Sequence, residues 1–270
     1  MPVQMNPWMI SKIVLWVLIA IVSTSFLRKN KVTSKVRNYF LVGGVIIFGF
    51  IYGVEPNPVS SLRNLLKNVF LQQRLLPAIL LVFVILLLVS WWSNKSICGW
   101  GCQFGLLQDL LYRIPSRKRK PPIRLSQIIR LFFFVGLILG LVVWKIDWLA
   151  FIDPFGIFRW SFSQPVILGM SFVSAVLILS VFIYRPWCHF FCPFGFISWI
   201  VEQKSLNKPV INLETCKQCQ LCVKACPGNA MEDILHNKRW RSDCFACGAC
   251  IEACRFDSIH WGRKSLSSRS

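Results

Sequence analysis

The chain has 270 residues, 55% of them hydrophobic, with a formal net charge of +20 and twelve cysteines. A soluble domain is roughly 45–50% apolar, so the excess points to membrane spans rather than to one large core. The positive charge comes without an aromatic-plus-basic surface motif, which argues against nucleic acid, and the cysteine clustering argues against a secreted disulfide scaffold.

Five apolar stretches are long enough for the roughly 20 helical residues that cross about 30 Å of hydrocarbon. They are Trp8–Leu27, Val36–Val54, Leu75–Ser93, Gln127–Ala150 and Pro165–Tyr184. The first lacks the basic n-region and small-residue cleavage site of a signal peptide, so it reads as a retained anchor. Arg28, Lys29, Lys31, Lys35 and Arg37 follow it; Lys95, Arg113, the Arg117–Lys120 run and Arg124 follow the third, and the end of the chain is also basic. The other connections are poor in charge: Glu55, Arg63, Lys67 and Arg74 in one, Asp153 and Arg159 in the other. The positive-inside rule then puts the N-terminus outside and the C-terminus in the cytoplasm, with the Arg117–Lys120 run as a topology determinant. Trp91 and Trp92 at one face, and Trp144 and Trp148 at the other, fit interfacial belts.

The expected fold class is a membrane all-α bundle of about five spans over residues 1–203, plus a small C-terminal α+β ferredoxin module over 204–270. That module is too short for a strong core of its own and needs staples. Cys216, Cys219, Cys222 and Cys226 form C-x2-C-x2-C-x3-C before Pro227, and Cys244, Cys247, Cys250 and Cys254 repeat the spacing before Arg255. Such a double run suits two [4Fe-4S] clusters, each run giving three ligands to one cluster and its fourth to the other. The first set is then Cys216, Cys219, Cys222 and Cys254; the second is Cys226, Cys244, Cys247 and Cys250. Zinc also takes four thiolates, but its knuckles are usually two separated C-x2-C pairs. The module is expected to unfold without its clusters.

Two further pairs, Cys98/Cys102 and Cys188/Cys192, follow the third and fifth stretches, at the predicted cytoplasmic edge. Helical i, i+4 spacing would put both thiols of a pair on one face. Gln103-Phe104-Gly105 after the first pair and Pro193-Phe194-Gly195 after the second suggest a duplicated unit. Three readings stay open: a shared four-thiolate site for a third cluster or another metal, dithiols that cycle with a quinone, or small buried packing residues. His189 is either a ligand, a proton carrier or an interfacial histidine. Glu55, Asp147 and Asp153, near the predicted outer face, are either proton acceptors beside a quinol site or solvated loop acids.

Two span-linked C-x3-C motifs, the second continuing as Cys192-Pro193-Phe194-Gly195, followed by a two-cluster tail, resemble the NapH-type polyferredoxins. The membrane parts of NosR and of the CcoG/FixG group are similar. The resemblance covers roughly Val36 to Trp261. It implies a quinol dehydrogenase membrane component of a respiratory reductase system, in the bacterial cytoplasmic membrane. Its partners would be the quinone pool and a soluble or periplasmic redox subunit. Gln103 stands where the family's first motif has proline, and Trp8–Leu27 looks like a span added to the family's four. A membrane factor supplying electrons for metal-centre assembly is the main alternative, and a redox sensor ranks behind it.

Overall fold

The computed structural model describes residues 7–53, 55–120, 123–158 and 166–263; Val54, Arg159 and Pro165 lie outside the described residues. The chain is mostly helical. Helix α1 (Pro7–Arg28) and helix α2 (Ser34–Gly44, continued by a π-helical Val45–Ile51) form an antiparallel hairpin. The turn between them ends at Thr33, whose hydroxyl caps α2 by accepting from the Val36 N–H. Helix α3 (Pro58–Phe70) starts from a capping box: Asn57 and Ser60 each bond the other's backbone N–H, and Pro58 occupies the first turn.

Among the described residues three helices are long and apolar enough to cross a membrane: α1, the α2 rod (Ser34–Ile51) and α6 (Ile123–Val142). Helices α4 (Pro77–Ser93) and α7 (Val166–Phe182) are apolar but only 17 residues long. At 1.5 Å per residue each spans about 25 Å, and each hands over to a cysteine-bearing turn. The fourth stretch differs from its expected bounds of Gln127–Ala150. Helix α6 starts earlier and ends at Val142, because Lys145 adopts a left-handed backbone (φ 56°) and the chain folds back. The Ile146 N–H bonds the Gly140 carbonyl and Trp148 Nε1 bonds that of Gly136, so the following 3-10 turns pack against α6. A side chain on Gly140 would collide with the Trp148 ring, 2.6 Å away.

Helix α5 (Gln103–Tyr112) and helix α8 (Pro193–Glu202) are short return helices, one after each cysteine turn. Buried aromatics pack the bundle: Phe104 meets Trp187 edge-on at 6.2 Å and lies tilted against Phe155 at 6.0 Å, and Trp16 stacks on Phe48 at 6.3 Å. Beyond α8 the chain forms strand β1 (Lys208–Ile211) and helices α9 (Leu221–Ala225), α10 (Ala230–Leu235) and α11 (Ala249–Glu252). It closes with strand β2 (Ile259–Gly262). The strands pair antiparallel, Lys208 opposite Gly262 and Ile211 opposite Ile259. Val32 and Leu27, at the turn of the α1–α2 hairpin, pack against Gly248, so this compact tail sits on one end of the bundle.

Candidate functional site

Neither cysteine pair lies on an α-helix. Ile97–Gly101 and Trp187–Phe191 are π-helical turns, and Cys102 and Cys192 follow them in extended backbone. The i, i+4 expectation is therefore corrected: the extended cysteine starts the return helix instead of completing a helical face. The pairs are not confined to the edge of the bundle either. Trp16, midway along α1, donates its indole N–H to the Gly101 carbonyl at 3.1 Å. Gln103 Nε2 reaches the Gly53 carbonyl beyond the far end of the α2 rod. Each unit thus dips into the bundle and returns: α5 ends where Asp109 meets Arg37 near the start of α2, and α8 ends against the tail.

The dip brings four thiols together. Cys98, Cys102, Cys188 and Cys192 are all buried, and every pair among them is close enough to interact electrostatically. The glycine three residues after each second cysteine permits this packing. A Cβ on Gly105 would stand 3.1 Å from the Cys98 carbonyl, and one on Gly195 would stand 3.0 Å from that of Cys188. Among the described residues no trio of His, Cys, Asp or Glu is close enough to grip a single metal ion, a statement that covers the tail cysteines as well. A cluster holds its thiolates on the outside of an iron–sulfur core, farther apart than a lone ion does.

Buried charges surround the thiols. Arg185 donates to the carbonyls of Cys98 at 2.5 Å and Gly99 at 3.1 Å, and pairs with Asp109 at 2.9 Å. Arg37 shares that carboxylate and bonds the Gly99 carbonyl at 2.7 Å. On the second unit Arg130 donates to the Cys188 and Gly195 carbonyls and forms a two-pronged pair with Asp243. Lys95 bonds Asp243 and lies 3.4 Å from Glu202. Burial works against charge on Asp243, but Arg130 and Lys95 prevail and hold its carboxyl well below the usual carboxylate range. Glu202 goes the other way: burial pushes it up to about 7 against the pull of Lys95.

The tail cysteines fall around two cavities. One is lined by Cys226, Cys244, Cys247 and Cys250, the other by Cys216, Cys219, Cys222 and Cys254. The first abuts the bundle. Trp100, between Cys98 and Cys102, donates to the Ala246 carbonyl at 2.9 Å, and Phe245 packs on Tyr184 and His189. A cleft of about 240 Å³ opens beside this seam, where Arg37, Tyr112, Arg113 and Tyr184 face Pro227 and Cys247.

His189 is buried, with Nδ1 3.5 Å from Asp243 and no partner for Nε2 among the described residues. Asp147 and Asp153 are not free loop acids: Arg63 of α3 binds both, at 2.7 and 3.0 Å. Arg37 and Lys95, read from sequence as topology charges, are instead buried inside the protein and paired with Asp109 and with Asp243 and Glu202. Arg130 and Asp243 went unnoticed, although an arginine within an apolar stretch and a carboxylate next to a ligand cysteine were visible signals.

Comparison with known proteins finds iron–sulfur families along the chain. A family described as a 4Fe-4S binding domain matches residues 75–122 and 165–209, one cysteine pair in each segment. A 4Fe-4S dicluster domain matches 208–255. YccM of Escherichia coli, named as an electron transport protein, is 27% identical over 73% of this chain, which spans 59% of YccM's length. MJ0749 of Methanocaldococcus jannaschii is 24% identical over 86% of this chain and 87% of its own length. The regulatory protein NosR of Pseudomonas aeruginosa is 24% identical over half of this chain but only 20% of NosR's length. No solved structure matches the chain. The chain therefore carries 4Fe-4S ferredoxin-type domains within a mostly helical membrane protein related to YccM and NosR.

Proposed function

We propose that this chain is a membrane-bound iron–sulfur electron carrier, the quinol-oxidising or relay subunit of a NapH-type respiratory system. The observation that carries the reading is the gathering of all twelve cysteines into three sets of four: one buried in the bundle and one around each tail cavity. The donor chemistry fits iron–sulfur clusters, since thiolate is their usual ligand. Cys216, Cys219, Cys222 and Cys254 would hold one, Cys226, Cys244, Cys247 and Cys250 a second, and Cys98, Cys102, Cys188 and Cys192 a third. Clusters bound there supply one-electron carriage. The residues of the chain bury the inner set away from water and dock the Cys244 loop directly against it through Trp100 and Gly99.

The cleft beside the seam supports quinol as the membrane substrate. It is large enough for a ring-sized head group, offers Tyr112, Arg37 and Arg113 as polar contacts, and reaches Cys247. The tail faces the cytoplasm in this reading, in keeping with the basic connections, and its charge would steer an acidic partner to it. Anaerobic purification in detergent with iron and sulfide counting tests the reading: about twelve iron per chain is expected, four per cluster. A value near eight removes the inner cluster, and colourless or zinc-only protein removes the whole proposal. Failure of a short-chain quinol to reduce the iron–sulfur signals would remove the quinol assignment alone.

A further inference from the structure

Each cysteine pair is preceded, three residues upstream, by a cation: Lys95 before Cys98 and Arg185 before Cys188. Both are fully buried, and both adopt left-handed backbone, φ 60° and 47°, which is uncommon outside glycine. Lys95 crosses to the second unit, where its Nζ is 3.4 Å from the Gly195 carbonyl at the start of α8 and 3.4 Å from Glu202 at its end. Arg185 crosses to the first, where it bonds the Cys98 and Gly99 carbonyls and Asp109 of α5. The exchange is reciprocal: the cation of one unit pairs with the carboxylate on the return helix of the other.

These cations also act on the thiols. Lys95 interacts electrostatically with Cys98 and Cys192, and Arg185 with Cys98, Cys102 and Cys188. Five buried cations, Lys12, Arg37, Lys95, Arg130 and Arg185, lie around this site, against three buried carboxylates, Asp109, Glu202 and Asp243. Positive side chains outnumber the carboxylates there. A buried charge without a counter-charge is costly, so the cage is built for something negative.

We infer that Lys95 and Arg185 are reciprocal positioning residues, each lent by one unit to the other, that offset the negative charge of a cluster on the four buried thiolates and raise its reduction potential. The inference rests on the inner-cluster reading above. Four thiolates outweigh the charge of a cubane core, and reduction adds one more negative charge, which nearby cations favour.

The test is an EPR-monitored redox titration of the full detergent-solubilised chain, with iron counts, for the wild type, Lys95→Met, Arg185→Met, Lys95→Arg and Arg185→Lys. Each methionine variant should shift the inner cluster's one-electron equilibrium against reduction by at least tenfold, about 59 mV, and move the tail clusters less. The charge-conserving variants should restore most of the shift. Selective loss of four iron in both methionine variants, with retention in the charge-conserving pair, also supports the inference. An unchanged inner potential in both methionine variants, or equal iron loss in all four, overturns it. A wild type with about eight iron instead overturns the inner-cluster reading beneath it.

Discussion

Gly99 and Phe245 touch so closely that a Cβ on Gly99 would stand 2.0 Å from the Phe245 carbonyl oxygen. The contact joins the turn between Cys98 and Cys102 to the loop between Cys244 and Cys247. The Trp100 bond to Ala246 lies beside it. Two cysteine sets from distant parts of the sequence are thereby held backbone to backbone, with no side chain between them.

Gly99→Ala should therefore separate the tail from the bundle. Overpacking against a rigid carbonyl costs about 1–3 kcal/mol, and here it falls on the docking loop. Limited proteolysis in detergent should release the tail from Gly99→Ala protein faster than from wild type, with the tail's own iron retained on the fragment. Trp100→Phe, which keeps the ring and loses one hydrogen bond worth about 1 kcal/mol, should give a smaller effect in the same assay. Equal protease resistance in all three proteins would mean that this contact does not hold the tail.

Asp243 is the common counter-charge of Lys95 and Arg130, and it also faces His189. Asp243→Asn keeps the volume and leaves two buried cations facing a neutral amide. Breaking a buried pair in this way costs about 3–5 kcal/mol. The variant should show a lower unfolding temperature and reduced yield. Glu202→Gln, which removes a carboxyl already pushed up to about 7, should cost much less at neutral pH. Comparable losses from both would show that Glu202 carries full charge in the fold.

Much of this organisation was legible in the chain. Hydrophobic runs located the apolar helices, since the cost of exposing backbone to lipid enforces long helical stretches. The repeated cysteine spacing singled out the eight tail cysteines from the sequence alone. The dip of Ile97–Gly101 and Trp187–Phe191 into the bundle was not legible. It depends on Gly101 meeting Trp16 and on Gly105 and Gly195 admitting backbone carbonyls, contacts between positions far apart in sequence. Paired charges were misread for the same reason: Lys95 looks like a loop lysine until Asp243, 148 positions away, is folded against it.

The tail contains two four-residue strands and helices of five, six and four residues. Elements that short are not stable alone. Oxidative cluster removal with an iron chelator should make residues 208–263 protease-sensitive while the helical circular dichroism of the bundle persists. A tail that stays resistant after its iron is gone would show that apolar packing of Ile259 and Trp261 suffices.

Asp233 in α10 gives the tail a defined response to acid. Its carboxylate accepts from the Ser242 N–H at 2.9 Å and the Ser242 hydroxyl at 2.6 Å, and pairs with Lys238 at 2.8 Å. Burial opposes the charge, but these partners outweigh it and hold the carboxyl below its ordinary range. A depressed folded-state pKa stabilises the fold above the unfolded value of about 3.9, and that contribution is lost as pH falls through the folded value. Asp233→Asn should lower the midpoint temperature for loss of cluster absorbance, in keeping with hydrogen bonds to a charged group worth about 1.5–3 kcal/mol. The gap from wild type should be complete at pH 7, begin to narrow from about pH 4, and close below it. A gap that stays constant down to pH 3 would assign the effect to the shape of the site rather than to the ionised carboxylate.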